Sequence, residues 1–334
     1  MYRLLSPFWN RQEGRIRSGW RIMIHLICYL MAQLSPSILL GVPHDDNALI
    51  ALGPLQITSL SLFIFLGMIA VVITTWLIGV VLDRRPFAEF GFQMGGQWWK
   101  ELLFGALLGA LLMALIFAAE WLLGWIEVTE IFHVKLSNLS FAMAFISPIM
   151  LFTAVAIQEE LLSRGYEIRN FAEGICFAWL GERGAIAVAW VITSTLFGLL
   201  HFFNPNATWI STFNIALAGI FLGLGYVLTG RLALSIGLHL TWNLFQGNIF
   251  GFPVSGNEFN DVTLFAIKQG GPTLWTGGAF GPEAGLIGVI ALIIGSVLIL
   301  GWLRWQEGSL GLHQPIAYYN GQRAWLERKV RGIA

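Results

Sequence analysis

A handful of side chains able to do chemistry stand in otherwise apolar sequence. Gln158-Glu159-Glu160-Leu161-Leu162-Ser163-Arg164 closes a long apolar run that begins near Phe141. His201 follows Phe197-Gly198-Leu199-Leu200, and His239-Leu240-Thr241-Trp242-Asn243 sits inside a later apolar run. A charge deep in a bilayer costs roughly 2.5–3.5 kcal/mol on insertion scales, so charges there need a use or a partner. Adjacent helical residues point about 100° apart, so Glu159 and Glu160 cannot face one spot. Glu160 and Arg164, four apart, share a face and can pair, which leaves Glu159 to point into a cavity; His239 and Asn243 share a face in the same way. Each pattern has a plainer meaning: wet charges at a helix end, an interfacial histidine, hydrogen bonding between helices. Together, a carboxylate, two imidazoles and a carboxamide on three helices can activate a water and stabilise an oxyanion, which is the equipment of a hydrolase.

These residues must be positioned by membrane helices. Of 334 residues, 56% are hydrophobic and 11% charged, where soluble domains carry about 25% charged residues. Net charge is zero, so no nucleic acid or other polyanion is implied as a partner. The two cysteines, Cys28 and Cys176, support neither a disulfide framework nor a thiolate metal cluster. No cleavable signal peptide is evident, and the first apolar run reads as a retained helix. Apolar runs near the ~20-residue spanning length fall at 22–41, 56–82, 102–125, 141–165, 185–203, 209–228, 232–250 and 284–303. The first is interrupted by Gln33, Ser35 and Pro36. The fold expected is an all-α polytopic bundle of about eight transmembrane helices in the plasma (inner) membrane, with the bilayer as its lipid partner.

Alternation of eight spans puts every Lys and Arg except Lys135 and Lys268 on one side, which places both termini in the cytoplasm. The chain then divides into a basic segment, 1–21, read as an interfacial helix or a plain tail; three spans, 22–130; a four-span core, 140–250; a glycine-rich outer connection, 251–283, read as a re-entrant cap or a surface loop; a last span, 284–305; and a polar tail, 306–334. Gly105 and Gly109, and Gly219 and Gly223, have the spacing that lets helix backbones approach. At ~1.5 Å per residue, His239 and Asn243 lie ~11 and ~17 Å from the inner end of their span. Glu159 lies shortly before a helix end at 165, farther in if the helix runs on to Arg169. A helix from 185 would carry His201 ~24 Å in, beyond the others. The expectation is therefore that Phe203–Ala207 is non-helical and inside the protein, and that the site sits in the cytoplasmic half to the middle of the membrane.

Glu159-Glu160 with Arg164, Phe197 with His201, and His239 with Asn243 follow in the order EExxxR, FxxxH, HxxxN. Over roughly 140–250 the chain thereby resembles the CAAX prenyl endopeptidase and bacteriocin-processing (CPBP) intramembrane proteases, the type II CAAX group. The resemblance implies cleavage of a peptide bond at membrane depth in a membrane-associated or lipidated peptide, prenylated at its C-terminus in eukaryotic and archaeal relatives. The family has been described both as glutamate proteases and as metalloproteases, and two mechanisms stay open. Without a metal, Glu159 and His201 hold and deprotonate a water, His239 and Asn243 donate to the oxyanion, Glu160 and Arg164 orient them, and Phe197 packs against the site. With zinc, Glu159, His201 and His239 are the ligands, although no helical HExxH is present. The metal-free version, which needs no cofactor, is preferred. A non-catalytic scaffold or immunity protein and a transporter are the remaining alternatives; the chain shows no inverted repeat that would favour transport.

Overall fold

The structure is a computed structural model that describes residues 7–11, 13–43, 48–52, 55–135 and 139–319. Seven helices are long and apolar enough to cross a membrane: α1 (Ser18–Leu40), α2 (Ser59–Asp83), α3 (Gly96–Leu122), α4 (Phe141–Ile175), α5 (Gly181–Phe203), α6 (Trp209–Thr229) and α8 (Leu286–Glu307). The eighth apolar run forms α7, Ala233–Leu244, continued by a wide turn over Phe245–Ile249, and is shorter than these seven. Just before its start, the peptide N–H of Leu232 donates to the Gly91 carbonyl at 3.0 Å.

Glycine explains how α7 is seated. A Cβ on Gly105 would collide with the Leu234 carbonyl, and one on Gly237 with the Leu102 carbonyl. Only hydrogen at these positions lets α3 and α7 pack backbone to backbone, as small-residue spacing allows in apolar bundles. Gly219 plays the same part between α6 and α5, where an added Cβ would sit 2.9 Å from the Ser194 Cα.

Helix α4 runs ten residues beyond the expected end at 165, through a π-helical stretch, Leu161–Ile168, to Ile175. Wide turns of this kind are frequent at functional sites. The extension places Glu159 ~24 Å along the helix from Ile175. Helix α5 likewise starts earlier than expected, at Gly181. Its last turn, His201–Phe203, tightens to 3-10 geometry and the chain leaves the helix at Asn204. The expectation that Phe203–Ala207 is non-helical holds from Asn204 onward, but the stretch is not inside the protein: Phe203 is 86% exposed. Helix α5 is not shortened, and the longer α4 brings Glu159 and His201 onto one cavity.

The connection 251–283 carries a β-strand and short helical turns and is not a plain loop. Val262–Gln269 (β2) pairs antiparallel with Ile126–Val134 (β1), with Ile131 opposite Phe265. The ribbon and the short helical turns that follow it cap one end of the bundle. At the other end, Trp9–Asn10 pairs with Arg15–Ile16 in a small hairpin, so the described part of 1–21 is not an interfacial helix. Arg15 and Arg21 are buried there. The described part of the tail folds back as well: the His313 N–H donates to the Val227 carbonyl at 2.8 Å, and Ile316 is buried. The rest of that tail, 320–334, and residues 1–6 lie outside the described residues.

Candidate active site

Four of the singled-out residues, Glu159, His201, His239 and Asn243, line one cavity of about 430 Å³. They come from α4, the end of α5, and α7. Behind them stands a buried charge pair. Arg164 Nη1 donates to Glu160 Oε1 at 2.9 Å, while Nη2 donates to the Gly219 carbonyl at 3.1 Å. The close approach of α6 at Gly219 is what brings that carbonyl within reach. The Arg164 guanidinium also lies over the Phe197 ring, 4.6 Å from its centroid.

His239 is oriented by the same carboxylate. Its Nδ1 lies 2.8 Å from Glu160 Oε1. A carboxylate paired with arginine accepts, so Nδ1 carries the hydrogen and Nε2 is turned toward the cavity. There Nε2 lies 3.9 Å from Glu159 Oε2. The Glu160 side chain is fully buried and that of Glu159 is 27% exposed. The 100° offset between neighbours thus separates one carboxylate that holds the site from one that faces it. Glu160 Oε2 is buried with no hydrogen-bond partner among the described residues.

His201 is oriented by backbone. Its Nδ1 donates to the Phe197 carbonyl at 2.7 Å, four residues back in the same helix, which leaves Nε2 as the ring nitrogen available to the cavity. Phe197 lies between the two imidazoles, tilted against His201 with ring centroids 4.6 Å apart and edge-on to His239 at 6.4 Å. It fills the space that would otherwise let either ring rotate. Asn243 lies one turn beyond His239, largely buried.

For zinc, the side chains of Glu159, His201 and His239 would have to converge. Among the described residues no three His, Cys, Asp or Glu side chains form a group that could hold a metal ion. As arranged, these three do not fit a zinc ion, and no step below passes through one.

Several polar residues of the cavity were not singled out in the sequence. Asn204, Ser255, Asn257 and Glu283 line its capped end. Glu283 accepts from the Ser255 N–H at 2.8 Å and from the Ser255 hydroxyl at 3.3 Å. Burial raises its pKa above the ordinary carboxylate value; donors from Gln246 and Ser255 and the nearby His201 oppose that rise. The available signal was an acid inside Gly281-Pro282-Glu283-Ala284-Gly285, at the mouth of an apolar run where a charge is out of place. The opposite side of the cavity is apolar, with Phe152, Val155, Phe221, Trp242 and Leu292. Its rim includes Leu26, Leu30 and Leu200, all exposed on the flank of the bundle.

Residues 138–245 match the family model described as Type II CAAX prenyl endopeptidase Rce1-like. The match ends before the cap and α8, and it contains every residue of the Glu160–His239 cluster. No curated protein and no solved structure matches the chain.

Proposed function

We propose that this chain, whose residues 138–245 belong to the Rce1-like type II CAAX prenyl endopeptidase family, is an intramembrane endopeptidase acting on a prenylated, CAAX-type peptide. What supports this most is the 3.9 Å approach of Glu159 Oε2 to His239 Nε2 on a cavity wall. A water at about 2.8 Å from each fits over that gap. Glu159 takes a proton from this water as its oxygen attacks the scissile carbonyl, a step worth roughly 10²–10⁴-fold for a positioned base. His201, held by the Phe197 carbonyl, steadies the same water. The developing oxyanion receives hydrogen bonds from the Asn243 amide and from the Nε2–H of His239, which enters the step as an imidazolium paired with Glu160 and keeps both its protons throughout, each roughly 3–4 kcal/mol in comparable sites. The proton on Glu159 then passes to the leaving amine, which restores the carboxylate.

Glu160 and Arg164 do not touch substrate. They fix the ring orientation of His239, as buried carboxylates do for functional histidines elsewhere. The apolar side of the cavity suits a lipid chain, and its exposed leucine rim suits entry from the bilayer. We place both termini on the cytoplasmic side of the plasma membrane and count α7 with its wide turn as the eighth crossing. The basic residues support this: Arg84, Arg85, Arg169, Arg183, Arg231 and Arg304 all lie at one end of the bundle, and Lys135 and Lys268 at the other.

The test is a comparison of membrane-peptide profiles from cells carrying the intact protein and Glu159→Ala. Peptides that lose their C-terminal residues only with the intact protein are expected. Identical profiles, with purified protein that also leaves a farnesylated CAAX-type peptide uncut, would reverse the proposal in favour of a scaffold.

A further inference from the structure

Glu283 lies beyond the family match and takes no part in the mechanism above. It nevertheless lines the same cavity as His201, buried, 7% exposed. A chain of hydrogen bonds joins the two. Glu283 accepts from the Ser255 N–H at 2.8 Å. The Ser255 carbonyl accepts from Asn204 Nδ2 at 2.9 Å. The Asn204 N–H donates to the His201 carbonyl at 3.1 Å and so closes the 3-10 turn on which His201 sits.

The middle link is a strained one. Val254 and Asn257 exchange backbone hydrogen bonds at 2.9 and 3.0 Å around Ser255 and Gly256, whose φ angles are +48° and +85°. Two positive φ values in a two-residue loop define a type I′ hairpin turn, for which Asn-Gly or Gly-Gly is the usual sequence. A serine at the first of these positions is held in an unfavourable conformation that only its surroundings enforce. Those surroundings are Glu283 on one side and the Asn204–Asn206 stretch on the other; a Cβ on Gly256 would strike the Pro205 carbonyl. Strain is thus kept at the point where the cap meets the end of α5.

We propose that Glu283 is a positioning residue for His201. Through Ser255 and Asn204 it holds the 3-10 turn in place, and its buried carboxylate keeps negative charge on the cavity wall that His201 also lines. The proposal rests on the proteolytic function proposed above, and it makes the cap, not only the matched core, part of the active site.

Two measurements on full-length protein in proteoliposomes test it. The first is the rate of cleavage of a quenched-fluorescent farnesylated CAAX-type peptide. Glu283→Gln keeps an acceptor for the Ser255 N–H and removes the negative charge. It is expected to lower kcat at least 10-fold with KM within 2-fold. Asn204→Ala is expected to lower kcat similarly, and the double variant to be no worse than the poorer single one, as for links of one chain. The second is amide hydrogen exchange without substrate. Glu283→Ala, or Asn204→Ala should the Glu283 variant not fold, is expected to speed exchange at 201–206 and 254–257 while 150–165 is unchanged. Unchanged kcat in Glu283→Gln, or unchanged exchange at 201–206, would overturn the proposal. A wild-type protein that cuts nothing while exchange at 201–206 responds would count against the proteolytic function and leave the link to the His201 turn standing.

Discussion

One helix, α4, carries two buried charge clusters, and they differ in what they leave open. Toward Ile175, Glu173 accepts from Arg15 at 2.7 Å, from Arg21 at 3.0 Å and from Arg85. Beside it, the two oxygens of Asp83 accept from Arg21 at 2.6 Å and from Tyr166 at 2.9 Å. Every carboxylate oxygen there is engaged, and the partners come from the N-terminal hairpin, α1, α2 and the segment after α2. Tyr319 from the C-terminal segment lies over Arg15, 3.8 Å from its guanidinium. At the middle of the same helix, Glu160 leaves one oxygen without a partner among the described residues and Glu159 faces a cavity. Both clusters neutralise charge that would otherwise be costly in an apolar bundle. The one whose carboxylate oxygens are all engaged ties chain segments together, and the one with an open carboxylate oxygen beside a cavity retains groups that can act on another molecule. Burial of charge is therefore common to both; spare capacity beside a cavity is the mark of chemistry.

Substitutions at the two clusters should separate rate from stability. The largest effect expected is in Glu159→Ala, with cleavage of a farnesylated peptide lowered by about 10²–10⁴ and the melting temperature of the detergent-solubilised protein within a few degrees of wild type. A protein that melts much lower would place Glu159 with the structural cluster. Glu173→Ala is the converse. Three arginines would lose their shared carboxylate, and removing one partner of a buried ion pair costs about 3–5 kcal/mol. Loss of folded protein on heating or in denaturant is expected, with near-normal kcat per folded molecule. A folded fraction equal to wild type would show that the arginines find other partners.

How much of this was legible in the sequence follows from the range of the contacts. The Glu160–Arg164 and His239–Asn243 pairs are four residues apart on single helices, so periodicity alone exposed them. The convergence of α4, α5 and α7 was legible only as a demand that polar groups in an apolar bundle meet. The full length of α4 was not legible, because nothing apolar marks its continuation through Arg164, Glu167 and Arg169 to Ile175; those charges look like a helix end until their partners are known. Arg15 and Arg21 looked like an ordinary basic tail for the same reason, since the acids that bury them, Asp83 and Glu173, are far away in sequence. The β1–β2 ribbon pairs Ile126 with Gln269 across most of the core, and neither strand has a neighbour in sequence that would announce it. Glu283 was hidden by belonging to that cap.

Two further tests sharpen the division within the cavity cluster. Glu160→Gln keeps the side chain's shape but weakens its hold on both Arg164 and His239. Loss of an orienting partner behind a functional histidine typically costs 10–100-fold, so kcat should fall by about that much, less than in Glu159→Ala. A fall as deep as that of Glu159→Ala would mean that Glu160 itself meets the substrate. Dialysis against a strong chelator, with total metal measured before and after, is expected to leave kcat within 2-fold, because the donors are not grouped around a common point. Activity that vanishes and returns with added zinc would require the Glu159, His201 and His239 side chains to close on an ion during turnover.

The smallest effect sharpens the comparison at its boundary. Tyr166 lies on α4 between the two clusters, fully buried. Its hydroxyl donates to Asp83 at 2.9 Å, and its ring stacks on His25, with centroids 3.7 Å apart. Tyr166→Phe removes the hydroxyl and keeps the stacking. A single hydrogen bond contributes about 0.5–1.5 kcal/mol net, somewhat more to a charged acceptor, so a fall in melting temperature of a few degrees is expected. The Glu160–His239 contact lies on the other side of Arg164 and shares no partner with Tyr166, so kcat should be unchanged. If kcat fell with stability, the wide turn Leu161–Ile168 would be passing strain from one cluster to the other, and the two halves of α4 would have to be treated as a single unit.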